Sequence, residues 1–297
     1  MNFRTFAASV CGTSHRKKGH CCQDHSGVLE FDNIKAIAVA DGHGGSDYFL
    51  SDVGAKFAVE AAFNQLKIFC NQVSPSERLS PNGIQNFKFS MKAEWLQSVY
   101  KDWNERKDKI TIKDKITIKD KITINEGNVP VVYGTTLLCA VFIGSQILIV
   151  QIGDGSCVVL FDNGEFAIPV PGDEVNFLNV TSSLCDEHVM KKFRHVVLDC
   201  DASISPVAAL MSTDGLDGCY PIFDNEKFLY RLYNVIIGNI IEHGFEETEN
   251  ELRECFLLGM SERASQDDIS FAYMVTEDIS LLKTALERRN YAWKEFI

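Results

Sequence analysis

An α+β fold built on antiparallel strands is predicted by three features of this 297-residue sequence. Two apolar runs, 136–143 and 146–152, are separated by a Gly-Ser pair, which is a typical hairpin signal. Residues 46–66 and 84–105 repeat apolar side chains at helical spacing. Because 45% of the residues are hydrophobic and 24% are charged, the chain can bury a sizeable core, and we interpret 1–297 as a single domain.

The first elements follow from short-range patterns. Residues 34–40 are β-branched or small and mostly apolar, which predicts a buried strand that delivers Asp41 at its end. A long helix is predicted next, with Ser46 or Asp47 as its cap. The second helix, 84–105, repeats aromatic and apolar side chains every four residues and should pack them on the core.

The later elements follow from the same periodicities. Residues 133–160 predict an antiparallel meander that is interrupted by Gly153-Asp154-Gly155. A strand at 207–212 is predicted to end beside Asp214. The remaining predictions are a turn at 162–164, helices at 226–242 and 248–264, a strand at 269–275, and a helix at 279–293 within the C-terminal segment 276–297.

Residues 108–125 contain an internal repeat. The hexamer Asp-Lys-Ile-Thr-Ile-Lys occurs twice, and a third copy ends in Asn125. Its isoleucines alternate with polar residues, as in a strand, but three short copies are too few for a solenoid. We therefore interpret the segment as a hairpin extension or a flexible insertion without a role in chemistry.

The composition excludes several classes of protein. The formal net charge of −12 argues against a nucleic-acid partner. Neither a signal peptide nor a membrane span is predicted. The ten cysteines include no CxxC pair, so reduced thiols in a cytoplasmic protein fit best. A zinc site at Cys21-Cys22 is disfavoured, because vicinal cysteines rarely bind one ion together and the sequence has no second ligand pair.

Four aspartates lie at the edges of apolar, strand-like runs. They are Asp24, Asp41, Asp214 and Asp267. Clustered carboxylates resist ionisation unless a cation neutralises them, and hard oxygen ligands indicate Mg²⁺ or Mn²⁺. The alternative for any one Asp-Gly pair is a solvated turn, and we favour that interpretation for Asp162 and for Asp217.

Five short motifs occur in order along the chain, namely Asp41-Gly42-His43-Gly44-Gly45, Gly134-Thr135-Thr136, Gly153-Asp154-Gly155, Ser212-Thr213-Asp214-Gly215-Leu216 and Asp267-Asp268-Ile269-Ser270. In this order and rough spacing they resemble the motifs of the metal-dependent type 2C protein serine/threonine phosphatases. Upstream, Gly12-Thr13-Ser14-His15 and Cys22-Gln23-Asp24 resemble the bacterial stand-alone branch. The resemblance implies an α-β-β-α sandwich of two antiparallel sheets, with a metal centre at one edge and a flap-like segment at 166–200.

The resemblance also implies an activity and a cofactor. A water bridging two Mn²⁺ or Mg²⁺ ions would hydrolyse phosphoserine or phosphothreonine in proteins, opposite a serine/threonine kinase. The metal ligands that it implies are Asp41 as the bridging residue, the Gly42 carbonyl, Asp214 and Asp267 at the first ion, Asp24 at the second, and Asp154 at the place of a third.

His43 is implied as the general acid, a role that suits imidazole, against the alternative of a turn histidine that only packs. The phosphate clamp departs from the family pattern. Many members carry an arginine where this chain has Gly19, which leaves His15 and Arg16 as alternative phosphate ligands. The altered clamp keeps a second hypothesis open, a pseudophosphatase that binds phosphoproteins without turnover.

Overall fold

The computed structural model describes residues 2–107, 127–171, 181–219 and 225–294. It contains two five-stranded sheets in which every pairing is antiparallel. The first sheet has the order β1-β10-β9-β6-β7, and the second has the order β2-β3-β4-β5-β8. The strands are β1 Phe3–Val10, β2 His25–Phe31, β3 Ile34–Ala40, β4 Leu137–Ile143, β5 Gln146–Ile152, β6 Ser156–Phe161, β7 Phe166–Ala167, β8 Arg194–Asp199, β9 Pro206–Ser212 and β10 Ile269–Thr276.

The helices lie outside the two sheets. They are α1 Thr13–Lys18, α2 Ser51–Gln72, α3 Pro75–Arg78, α4 Pro81–Arg106, α5 Val129–Val132, α6 Asp214–Asp217, α7 Asn225–His243, α8 Phe245–Glu251, α9 Leu257–Met260 and α10 Ile279–Lys294. Two π-helical turns, Leu252–Phe256 and Ser261–Ser265, flank α9. In the described ranges no helix is long and apolar enough to cross a membrane.

The two-residue period of the strands explains the layers. On β3, Ala36 and Ala38 face the core beneath α2 and α4, whereas Ile37 and Val39 face the other sheet. On β10, Tyr273 packs towards the helices of the opposite face, and its neighbours on either side point between the sheets. The described residues therefore form helix, sheet, sheet and helix layers, which confirms the predicted α+β sandwich.

Several predicted elements are confirmed, some with the predicted bounds and others with small shifts. Strand 34–40 and the 146–152 half of the hairpin have the predicted limits, and helices α4, α7 and α10 agree within three residues. The predicted 46–66 helix begins later, at Ser51, after a separate 3₁₀ turn at Ser46–Tyr48. Neither Ser46 nor Asp47 caps it, because the N-cap is Leu50, which makes no side-chain capping bond.

The predicted meander at 133–160 is wrong in its third strand. Strands β4 and β5 pair as a hairpin, but β6 leaves that sheet and pairs with β9 in the other one. The change of sheet occurs at Gly153, whose φ of 98° only glycine adopts readily. The predicted 248–264 helix is likewise broken into α8, α9 and the two π turns.

Three assigned segments fall partly or wholly outside the described residues. The repeat insertion at 108–125 lies outside them entirely. The flap-like segment 166–200 begins on β7 and ends just after β8, and its residues 172–180 are outside the described part. Of the C-terminal segment 276–297, the described part is the end of β10 and α10.

Candidate functional site

The ends of several strands meet at one end of the second sheet. Because His25 pairs with Ala40, the residues just outside them, Asp24 and Asp41, lie side by side. The hairpin pairing of Leu137 with Ile152 brings the Gly153-Asp154-Gly155 turn to the same end. Antiparallel register thus gathers carboxylates that lie 17 to 130 positions apart in the sequence.

The first sheet contributes its acidic residues at the same end. Ser156 at the start of β6 pairs with Ser212 at the end of β9, and Asp214 follows two residues later. Asp267 and Asp268 directly precede β10, which runs antiparallel to β9. The short segment 153–155 joins the two sheets here and places Asp154 between them.

A cavity of about 330 Å³ opens among these residues. Its walls are formed by Asp41, Asp154, Asp214, Asp267, Asp268, His15, His43, Gln23, Thr181, Gly42 and Gly44. Of the residues predicted as site residues, seven line this cavity, Asp24 lies behind it, and Arg16 is not part of its wall. The cavity is therefore strongly acidic, with two imidazoles on its rim.

Three carboxyl groups at the base of the cavity contact one another. Asp41 shares side-chain hydrogen bonds with Asp24 and with Asp214. Burial, followed by the charges of these two neighbours, raises the pKa of Asp41 well above its usual value. Burial also raises the pKa of Asp24 to about 7, although a hydrogen bond from Thr213 opposes the rise.

This donor set fits a hard divalent cation. Burial and mutual repulsion disfavour the ionised carboxylates, and a cation would reverse that preference. Carboxylate and carbonyl oxygens are the ligands that Mg²⁺ and Mn²⁺ prefer. In the described ranges, however, no three His, Cys, Asp or Glu side chains are already grouped around one point as ligands.

The Gly134-Thr135-Thr136 motif positions Asp41. The amide of Thr136 donates to the Asp41 carbonyl, and the Asp41 amide donates to the Thr136 hydroxyl, both at 2.9 Å. The Thr135 hydroxyl donates to the same carbonyl at 2.8 Å. Gly134 leaves room for the site, because a Cβ there would lie 2.9 Å from the His43 ring. The motif thus fixes the backbone of the central aspartate.

His43 lies in the turn after Asp41, with its ring in the cavity wall. Its amide donates to the Gly134 carbonyl at 3.0 Å, and its ring packs edge-on against Tyr48 at 5.0 Å between centroids. Burial lowers the pKa of His43, and the charges of Asp154 and Asp186 oppose that effect. The ring is therefore both held in place and available to the cavity.

The two alternative phosphate ligands point in different directions. His15 lines the cavity, and its Nδ1 lies 2.9 Å from Asp268 Oδ2. The Arg16 guanidinium instead donates to Thr13 and to Glu262, both at 3.1 Å. The structure therefore brings His15 to the site and directs Arg16 towards the surface.

The turn that carries Asp154 is held by side chains of Thr181 and Arg194. The Thr181 hydroxyl donates to Asp154 Oδ2, so the described end of the flap-like segment contacts the acidic cluster. Arg194 donates to the Gly153 carbonyl and, at 2.6 Å, to the Pro171 carbonyl. These contacts fix the loop that carries Asp154.

Asp217 is a correction to the sequence analysis, which assigned it to a solvated turn. It is only 7% exposed, and its carboxyl group accepts hydrogen bonds from Ser156 and, at 3.1 Å, from Ser212. Burial raises its pKa to about 7. Asp217 is therefore covered at the end of α6, where the paired residues Ser156 of β6 and Ser212 of β9 both donate to its carboxyl group.

Comparison with known proteins agrees with this geometry. Residues 11–253 match the family model described as protein phosphatase 2C. Because that match spans most of the chain, the protein belongs to the protein phosphatase 2C family, a family of phosphoprotein phosphatases. No curated protein matches it by sequence.

Solved structures share the fold at low sequence identity. The serine/threonine phosphatase Stp1 from Staphylococcus aureus is 16% identical, with a TM-score of 0.59 over 93% of this chain and 96% of that one. The Mycobacterium tuberculosis serine/threonine phosphatase PstP/Ppp is 14% identical, with a TM-score of 0.52 over 93% and 100%. A sex-determining protein from C. elegans is 14% identical, with a TM-score of 0.57 over 97% and 68%. At these identities the likeness shows the fold.

Proposed function

We propose that the protein hydrolyses phosphoserine and phosphothreonine in other proteins with the help of Mn²⁺ or Mg²⁺. The observation that carries the proposal is that Asp41, Asp214 and Asp267 line the same cavity as His15 and His43. A phosphomonoester needs positive charge around its oxygens and a proton for its leaving group. The aspartates can hold cations that provide the positive charge, and the imidazoles can provide the proton.

The aspartates would hold two ions. Asp41 is central, because it contacts both Asp24 and Asp214, so it is the residue suited to bridge. Asp214 and Asp267 would complete one ion, and Asp24 with the Gly42 carbonyl would support the other. Two such ions lower the pKa of a shared water and neutralise the phosphoryl oxygens. Asp154 would hold a third ion.

The two histidines would act on opposite parts of the substrate. His43, whose ring is in the wall beside the aspartates, would donate a proton to the departing seryl or threonyl oxygen. His15 would donate a hydrogen bond to a phosphoryl oxygen, in place of the arginine that the chain lacks at Gly19. Its substrates would be proteins phosphorylated by a serine/threonine kinase.

Hydrolysis of p-nitrophenyl phosphate and of a phosphothreonine peptide tests the proposal. Wild type should turn over both with Mn²⁺ or Mg²⁺ and neither with excess EDTA. Asp41→Asn and Asp214→Asn should lower kcat by at least about 100-fold, the scale expected when charge stabilisation at a reaction centre is removed. The matched control is Asp201→Asn, which removes one charge from an exposed position next to β8, at the end of the sheet away from the cavity.

Two results would contradict the proposal in different ways. Folded wild type that binds Mn²⁺ and a phosphopeptide without turnover would replace this proposal with a phosphoprotein-binding module. Activity that survives in Asp41→Asn would refute the assignment of the aspartate cluster, whatever the substrate.

A further inference from the structure

Helix α1, which carries His15, is attached to the rest of the protein by hydrogen bonds instead of by a hydrophobic face. None of its residues is buried. Four contacts tie its N-cap and first turn to the segment 261–268 before β10, namely Gly12 N to Asp268 Oδ1 at 2.5 Å, Thr13 N to Ser261 Oγ at 3.1 Å, Ser14 N to the Gln266 carbonyl at 2.9 Å, and His15 Nδ1 to Asp268 Oδ2 at 2.9 Å. The position of His15 thus depends on that loop.

Asp268 is the centre of this attachment. It is 4% exposed, and its carboxylate accepts from three nitrogens, those of Gly12, Gln23 and His15. Gln23 belongs to the segment that leads into Asp24, so one buried carboxylate joins α1 to the base of the cavity. Both oxygens of Asp268 are thus engaged, Oδ1 by Gly12 and Oδ2 by Gln23 and His15.

This contact determines which ring nitrogen of His15 remains for a ligand. A carboxylate oxygen at 2.9 Å assigns the hydrogen to Nδ1. His15 is among the residues that line the cavity, and with Nδ1 engaged by Asp268 its Nε2 is the nitrogen left for a ligand there. A doubly protonated ring would then present Nε2–H to an anion, with its orientation fixed in advance.

We propose that Asp268 is a positioning residue that holds His15 as the donor to a phosphoryl oxygen. The inference rests on the proposed function, because it names the group that replaces the missing arginine in phosphate binding. It also gives a role to Asp268, which is not among the aspartates proposed to hold the two ions. A single imidazole gives one hydrogen bond where arginine gives two, so the clamp depends on the precision with which Asp268 holds the ring.

Two measurements test the pair in the full-length protein. The first is imidazole ¹⁵N NMR, with the His15 signals identified by their loss in His15→Gln. We expect Nδ1 of His15 to carry a hydrogen in wild type and to change its shift in Asp268→Asn. A wild-type His15 that carries hydrogen only on Nε2 would overturn the proposal, and so would a ring that carries hydrogen only on Nδ1 with phosphate bound, because it has no second N–H to donate. These results do not depend on any variant folding.

The second measurement is the affinity for inorganic phosphate in the presence of Mn²⁺, by calorimetry and by competition with p-nitrophenyl phosphate. His15→Gln and Asp268→Asn should each weaken phosphate binding about 10-fold, as expected for loss of one hydrogen bond to a charged group. The double variant should be no weaker than either single one. The matched control, Glu262→Gln, removes the negative charge from the Arg16–Glu262 pair, which is another side-chain contact of α1, and should bind phosphate like wild type.

Three outcomes contradict the pairing. They are wild-type phosphate affinity in folded Asp268→Asn, effects of the two substitutions that multiply in the double variant, or an equal loss in Glu262→Gln. Failure of the proposed function is distinguishable, because a protein without turnover would still report the NMR signature and the calorimetric phosphate affinity.

Discussion

The buried carboxyl group of Asp217 should make the protein less stable as the pH rises from about 4 to about 7. It is 7% exposed, and burial, opposed by the hydroxyl groups of Ser156 and Ser212, raises its pKa to about 7. In the unfolded chain an aspartate has a pKa of about 3.9. Between these two values the folded state binds the proton and the unfolded state does not, so stability falls with rising pH.

The size of the effect follows from the same two values. One pH unit corresponds to about 1.4 kcal/mol, so a rise of about three units sets an upper limit of about 4 kcal/mol on the cost of the ionised carboxylate. Asp217→Asn removes that cost and keeps the shape of the side chain. Each serine hydroxyl can donate or accept, so both can remain bonded to an amide. The variant should exceed wild type by up to about 1.5 kcal/mol at pH 5 and by up to about 4 kcal/mol at pH 8.5, so the difference should widen by about 2–3 kcal/mol over this range.

Urea unfolding at half-unit intervals from pH 5 to 8.5, with EDTA throughout, measures the difference. Asp201→Asn serves as the control for the loss of one negative charge, since that residue is exposed. A stability difference between Asp217→Asn and wild type that stays constant across this range would refute the reasoning. So would an equally large pH dependence in the control.

Three further substitutions test the packing and capping of the helices. Gly54→Ala should destabilise the protein by about 3 kcal/mol or more, because its Cβ would lie 2.0 Å from the Tyr133 carbonyl oxygen, whereas Gly238→Ala in α7 meets nothing within 4 Å and should stabilise it by about 0.5–1 kcal/mol. Thermal unfolding of both variants distinguishes a steric requirement from a general intolerance of alanine. Ser80→Ala should cost about 1 kcal/mol, because the Ser80 hydroxyl caps α4 by accepting from the Gly83 amide at 3.0 Å, and an unchanged unfolding midpoint would contradict that role.

The strands that the sequence predicts and those it misses differ by their place in the sheets. The predicted strands β3, β4, β5, β6, β9 and β10 all have a neighbour on both sides, and they are buried, near-continuous apolar runs. The missed strands β1, β2, β7 and β8 are the four edges. Three of these edges are polar, short or half-exposed, as in the Arg194-His195 start of β8, so their apolar pattern is weak.

The residues of the candidate site also fall into two groups, those that the sequence predicts and those that it does not. Asp41 and Asp214 could be found because each follows an apolar run and opens a Gly turn, and both are local features of the sequence. Asp268 could not be found by the same route. Its three donors come from residues 12 to 23, about 250 positions earlier, and only the antiparallel pairing of β1 with β10 brings them together. Asp217 was misassigned because an Asp-Gly pair looks the same whether a turn is solvated or covered.

Polar contacts, and not only the apolar layer between the sheets, fix the two halves of the site relative to each other. The Thr213 hydroxyl, from the end of β9, donates to Asp24 Oδ2 at 2.6 Å and accepts from the Ser270 amide at 2.9 Å. This chain of bonds links an aspartate of the second sheet to two strands of the first. Because apolar contact is non-directional whereas a hydrogen bond requires a defined geometry, these bonds help to fix Asp24 relative to the strand end that leads into Asp214.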